Sequence, residues 1–156
     1  MKRIAILIAV LCVFVGFGIS NGFAQGKTRA NPTWATLDQR ATKEIKHGGI
    51  YSRRWGAASP KLKAIVTQMI LMKFGHGYIG QKALCYAQRE SGLNPLALSS
   101  TNDHHVFQLN WSAHHNTFDY ARLDEPDVGY GIIAGWRLSK GGRDFSAWAG
   151  GSHSCP

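Results

Sequence analysis

Glu90 is the residue of this chain best placed to move a proton. Ile79, Ala83, Tyr86, Ala87 and Glu90 fall four, three, one and three residues apart, one stripe at helical period, while Gln81, Lys82, Gln88 and Arg89 take the other side. A carboxyl group in the last turn of a helix, on the apolar flank, meets two effects of one sign. Desolvation and the negative end of the helix dipole both disfavour its charged form. A carboxylic acid kept protonated near neutral pH is what general acid catalysis requires. The same spacing also suits a Glu that turns to solvent at the helix end, or that pairs with Arg89 or Lys82.

A second carboxylate, for two-carboxylate chemistry, would be Asp103, in the loop after Glu90. Asp119, Asp124, Glu125 and Asp127 come later, just before the last helix. His104, His105, His114 and His115 form two adjacent pairs, but neighbouring side chains diverge and no spacing matches a zinc motif. No metal is expected. Of the three cysteines, Cys12 lies in an N-terminal apolar run, which leaves Cys85 and Cys155, expected to pair as a disulfide in an exported chain rather than to remain free thiols.

The elements that must position these residues are legible from local signals. Residues 1–24 read as an export signal: Lys2 and Arg3, the run "IAILIAVLCVFVGFG", and small residues before a cleavage site near Ala24. Leu11 before Cys12 is too large for a lipoprotein cleavage site, so no lipid anchor is expected. Residues 25–58 form a basic leader with scattered aromatics, either draped over the domain or a linker, with a short helix around "WATLDQRATKEIK". The main domain is expected over 59–156. Ser59-Pro60 starts a helix whose stripe is Leu62, Ile65, Val66, Met69, Ile70 and Phe74, stopped by Gly75. The next helix runs from about Ile79 to Ser91 and ends at Gly92. Pro126 opens a last helix through "DVGYGIIAGWRLSK", where Gly129, Gly131 and Gly135 allow close packing. A short hairpin near 98–109 is the one strand signal. The fold class is mainly α.

Lys and Arg number 18 against 9 Asp and Glu, a formal charge of +9, and most of it remains once Lys2 and Arg3 leave with the signal. Such a balance favours an anionic partner. Export disfavours nucleic acid, and no helix-turn-helix or base-stacking pattern is present.

Downstream of Glu90 the motifs narrow the choice. "ESGLNPLALSS" and then "HHVFQLN" resemble the lysozyme-like lytic transglycosylase family of peptidoglycan-cleaving enzymes. Glu90, Ser91, Pro95, Ala97 and Ser99 stand in the family's order, and Gln108 follows Glu90 at the family's spacing. The segment "FDYARLDEPDVGYGIIAGWRLSKGGRDFSAW" is similar to the C-terminal end of actinobacterial and phage members. The likeness covers roughly residues 60–150. One departure stands out: His105 occupies a position where the family usually has glycine. Histidine tolerates positive φ there, yet would crowd a sugar approaching the backbone.

The resemblance implies a lysozyme-like α domain with at most a minimal hairpin. It also implies cleavage of the β-1,4 bond between N-acetylmuramic acid and N-acetylglucosamine by Glu90 alone, as acid and then base, without a cofactor. Asp103 activating water instead would make the protein a hydrolase. Ser99, Gln108 and Asn110 are candidates to hydrogen-bond N-acetyl groups, and loop capping would use the same atoms. Of Trp111, Trp136 and Trp148, all suited to the core, Trp148 is the best candidate to stack on sugar. The expected partners are peptidoglycan glycan strands and anionic wall polymers, met by an exported monomer with no membrane anchor once the signal is removed. A rival reading is a wall-binding or structural module of the same fold without turnover, prompted by His105 and the basic leader.

Overall fold

Among the described residues of this computed structural model are five α-helices and one two-stranded hairpin, a mainly α architecture. The structure describes residues 31–117, 120–149 and 155. The expected export signal and its cleavage site lie outside them. All the described elements belong to one unit, Asn31–Pro156, with its own core.

Helix α1 (Trp34–Lys46) begins where the Thr33 hydroxyl accepts a hydrogen bond from the Thr36 amide. It is the helix expected within the leader, and it is not loose: Leu37 and Ala41 are fully buried in the same core as α2. Burying a leucine there stabilises the packing by roughly 1.5–3 kcal/mol. The stretch around residue 58 is therefore no boundary between packed units. Leu37 and Ala41, with Trp34, Ile45 and Ile50 packed against them, make no core alone, yet they supply one edge of a shared one.

Helix α2 (Pro60–Phe74) starts at the Ser59 cap, whose hydroxyl accepts from the Leu62 amide, and ends at Gly75 with φ +90°. All six stripe residues are buried. Helix α3 (Tyr78–Ser91) ends at Gly92 in the left-handed conformation. Its stripe is buried at Ala83, Tyr86 and Ala87 but not at Ile79, which lies one residue inside the exposed α2–α3 turn.

Strands β1 (Asp103–His104) and β2 (Leu109–Asn110) pair antiparallel, Asp103 opposite Asn110 and His104 opposite Leu109, and Leu98 adds a bridge to His104. A single helical turn, α4 (Trp111–His114), follows. Helix α5 (Val128–Leu138) starts two residues later than Pro126 suggested, because Asp127 is the cap: its carboxylate accepts from the Tyr130 amide at 2.8 Å. It stops before Gly141-Gly142, as the chain turns left-handed at Lys140, Gly141 and Gly142. A 3-10 turn (Ser146–Trp148) leads toward Cys155, which is joined to Cys85 by a disulfide, Cα–Cα 5.7 Å.

The glycines of α5 do admit close neighbours, but only one is a helix. A Cβ on Gly129 would stand 3.0 Å from the Asp38 carboxylate of α1. On Gly131 it would meet the His105 ring at 2.5 Å, and on Gly135 the Phe107 ring at 2.3 Å. The hairpin loop is thus pressed onto α5 by two rings that only glycine accommodates. Among the described residues no helix is long and apolar enough to cross a membrane.

Candidate functional site

Glu90 sits in the last turn of α3, its side chain 25 % exposed and therefore within reach of a ligand. The carboxylate is not isolated in an apolar pocket. Arg89 donates from Nε (3.0 Å) and Nη2 (2.7 Å), both to Oε1, and Oε2 takes no hydrogen bond among the described residues. The same guanidinium donates to the Trp148 carbonyl and lies over the Tyr86 ring at 4.8 Å. Arg89 is thereby held by the 3-10 turn, 59 residues away in sequence, and it fixes one oxygen of Glu90 in turn.

The loop after Glu90 is clamped by the leader. Gly92 has φ +61°, and a Cβ there would fall 2.7 Å from Gly56 Cα. The Gly56 amide donates to the Ser91 carbonyl (2.8 Å), and the Trp55 indole donates to the Arg89 carbonyl (3.1 Å). Asn94 Nδ2 bonds the carbonyls of Ser52 and Arg54. Trp55 nevertheless stays 62 % exposed and Tyr51 67 % exposed, so an aromatic and arginine-bearing strip of the leader borders the loop that follows Glu90. Sequence reasoning missed this wall. The only local hint was the tryptophan in "SRRWG", an amphipathic ring in an otherwise turn-forming stretch.

Backbone strain gathers in the same region. Of the five non-glycine residues with positive φ among the described residues, four lie between 93 and 108: Leu93, Asn102, His105 and Gln108. Such conformations persist only where surrounding contacts over-determine them, and they cluster at ligand sites. His105 adopts the left-handed backbone, φ +63°, a conformation that glycine takes most readily. Its ring points inward, 2 % exposed under Gly131, with Nδ1 against the Pro95 carbonyl at 3.1 Å. It therefore does not crowd the outer face of the loop. Burial pushes the imidazole pKa down to about 4, against the opposing pull of the Pro95 carbonyl.

Three of the sequence-derived candidates meet in one cluster. Asp103 accepts from Ser99 Oγ (2.7 Å), Thr101 Oγ1 (2.5 Å) and Asn110 Nδ2 (2.7 Å). Partial burial alone would raise its pKa, but the hydrogen bonds from Thr101, Ser99 and Asn110 prevail and hold it below the ordinary carboxylate value. Asn110 also gives Nδ2 to the Thr101 carbonyl and accepts the Ala113 amide as the α4 cap. Its amide group is consumed by the fold. Gln108 gives Nε2 to the carbonyls of Ala97 (3.2 Å) and His105 (2.9 Å), leaving Oε1 as its remaining polar atom.

Trp148 is a core residue, 6 % exposed, packed with Tyr86, Phe107 and Phe145, its indole donating to the Phe107 carbonyl at 2.8 Å. Its backbone, not its ring, reaches the Glu90 neighbourhood. No hydrogen bond among the described residues joins the Asp103 cluster to Glu90. The four histidines do not converge either, since no group of three or more His, Cys, Asp or Glu side chains among the described residues is arranged to hold a metal ion. Comparison with protein-family models, curated proteins and solved structures gives no match to this chain.

Proposed function

We propose that this protein is an exported, lysozyme-like glycosidase that cuts the β-1,4 bond between N-acetylmuramic acid and N-acetylglucosamine in peptidoglycan, using Glu90 as its single acid/base. The observation that carries the reading is the state of Glu90: a reachable carboxylate at the end of α3, Oε1 fixed by Arg89 and Oε2 unengaged among the described residues. The exposed Trp55 borders it, its indole donating to the carbonyl of the adjacent Arg89.

In this reading Oε2 gives a proton to the leaving glycosidic oxygen as the bond to the anomeric carbon breaks. Positive charge then develops at that carbon, and the substrate's own acetamido group shares it. Glu90, now ionised, takes the proton of the 6-hydroxyl as that oxygen attacks, which leaves a 1,6-anhydro end. Asp103 supports this single-carboxylate course over hydrolysis, because its oxygens are already committed to Ser99, Thr101 and Asn110. The second reading, a wall-binding module without turnover, is favoured by the Arg89 ion pair, which occupies the very carboxylate that must react.

Turbidity loss of purified cell walls separates the two. The Glu90→Gln variant keeps the shape and removes the transferable proton, so lysis should fall by about 10² or more with binding retained. Near-normal lysis by that variant would sink the mechanism. Mass spectrometry of the released fragments then decides the product, since anhydro and hydrated ends differ by one water.

A further inference from the structure

The α2–α3 turn presents large apolar side chains to solvent: Tyr78 is 67 % and Ile79 37 % exposed, flanking the exposed Gly75-His76-Gly77 link. Soluble surfaces scatter such residues singly, but these two are set among cations. Lys82 lies over the Tyr78 ring and donates to its hydroxyl at 3.2 Å. Arg143 lines a cleft together with Tyr78 and Lys82, and a second cleft together with Trp136, Arg137 and Lys140. Lys73 sits 4.1 Å over the Trp136 ring. The two halves touch, because Gly142 lies against Ile79 so closely that a Cβ would come within 2.3 Å of it. On this surface Asp144 is paired to Lys140 at 2.8 Å.

We infer that this face is a peripheral docking surface for a membrane bearing anionic phospholipid headgroups. Tyr78 and Ile79 would enter the headgroup layer while Lys73, Lys82, Arg137, Lys140 and Arg143 meet the phosphates. An amphipathic ring with one wet end is suited to that depth, and lysine and arginine stems keep their charged heads at its edge. A soluble wall polyanion would use the cations but give no reason for an exposed isoleucine and tyrosine at their centre. The inference stands apart from the glycosidase reading. It has one consequence for it: α3 runs from Tyr78 to Glu90, twelve residues or about 18 Å, so docking would hold the carboxylate within about that distance of the membrane.

The test uses the unit Asn31–Pro156, which encloses the whole core and both cysteines of the disulfide, and sedimentation with vesicles of phosphatidylglycerol mixed into phosphatidylcholine. Binding should require phosphatidylglycerol and weaken with salt. Replacing Lys82, Arg137 and Arg143 together by Glu should cut it about 100-fold, taking roughly fivefold per cation lost. The same charge change on α1 (Arg40→Glu, Lys43→Glu, Lys46→Glu) should leave it within a few-fold. Tyr78→Ser, at a side chain with little to lose in folding, should weaken vesicle binding about tenfold or less but still measurably. Lysis of lipid-free walls should be unchanged in the Lys82/Arg137/Arg143 variant, so failure here and failure of the glycosidase reading are told apart. Equal losses in the two charge variants would overturn the proposal. So would binding to soluble poly(glycerol phosphate) that is as tight as to vesicles and indifferent to Tyr78→Ser.

Discussion

Mild acid should weaken this fold through His105 before it reaches the carboxylates. The ring is 2 % exposed, closed in by Gly131, with the Pro95 carbonyl on Nδ1. Of its charged neighbours, His104 repels a proton there and Asp127 attracts one, but burial dominates and sets the native pKa at about 4 against 6.5 for the free group. The native ring is therefore neutral where the unfolded ring is already protonated. Stability is complete above the unfolded value, falls as pH drops below it, and levels off below the native value. Integrating the proton difference, the loss between about pH 7.5 and 5 is of order 2 kcal/mol. His104, also shifted down by burial and by Arg53, acts in the same direction. Urea unfolding followed by circular dichroism at several pH values measures the slope. His105→Asn keeps a residue that tolerates φ +63° and removes the titration, so it should lose about 2 kcal/mol less over that pH range, whatever its absolute stability. A variant as pH-sensitive as the parent would refute the inward, desolvated placement of the ring.

Gly135→Ala should destabilise by about 1–3 kcal/mol despite alanine's better helix propensity, because the new methyl meets the fully buried Phe107 ring at 2.3 Å; a raised melting temperature would contradict that packing. On the proposed glycosidase reading, Asp103→Asn should leave the product of wall cleavage unchanged and reduce lysis far less than Glu90→Gln. It should still cost about 1–3 kcal/mol of stability, since three donors lose a charged acceptor, and thermal unfolding beside a lysis assay checks both halves.

Local physics made much of the scaffold legible. A cap is a contact between residues three apart, so Ser59-Pro60, Gly75 and Gly92 announce the ends of α2 and α3 without reference to the rest of the chain. The α2 stripe follows from helical period alone, and two cysteines left after an apolar N-terminal run leave one pairing, which the structure contains. Periodicity says which side of a helix a residue takes, but not what waits on that side. Only the tertiary structure decided that Ile79 ends in the open, that α1 is part of the core, and that Trp148 faces inward with its carbonyl on Arg89. Glu90 was found from its stripe. Its partner was settled by the 3-10 turn that holds Arg89, a contact across 59 residues for which helical spacing has no signal. His105 is a further case: the room for its inward ring comes from the missing Cβ of Gly131 on another helix. Contacts of that kind depend on where distant segments come to rest, and that is fixed by the packing of the whole core.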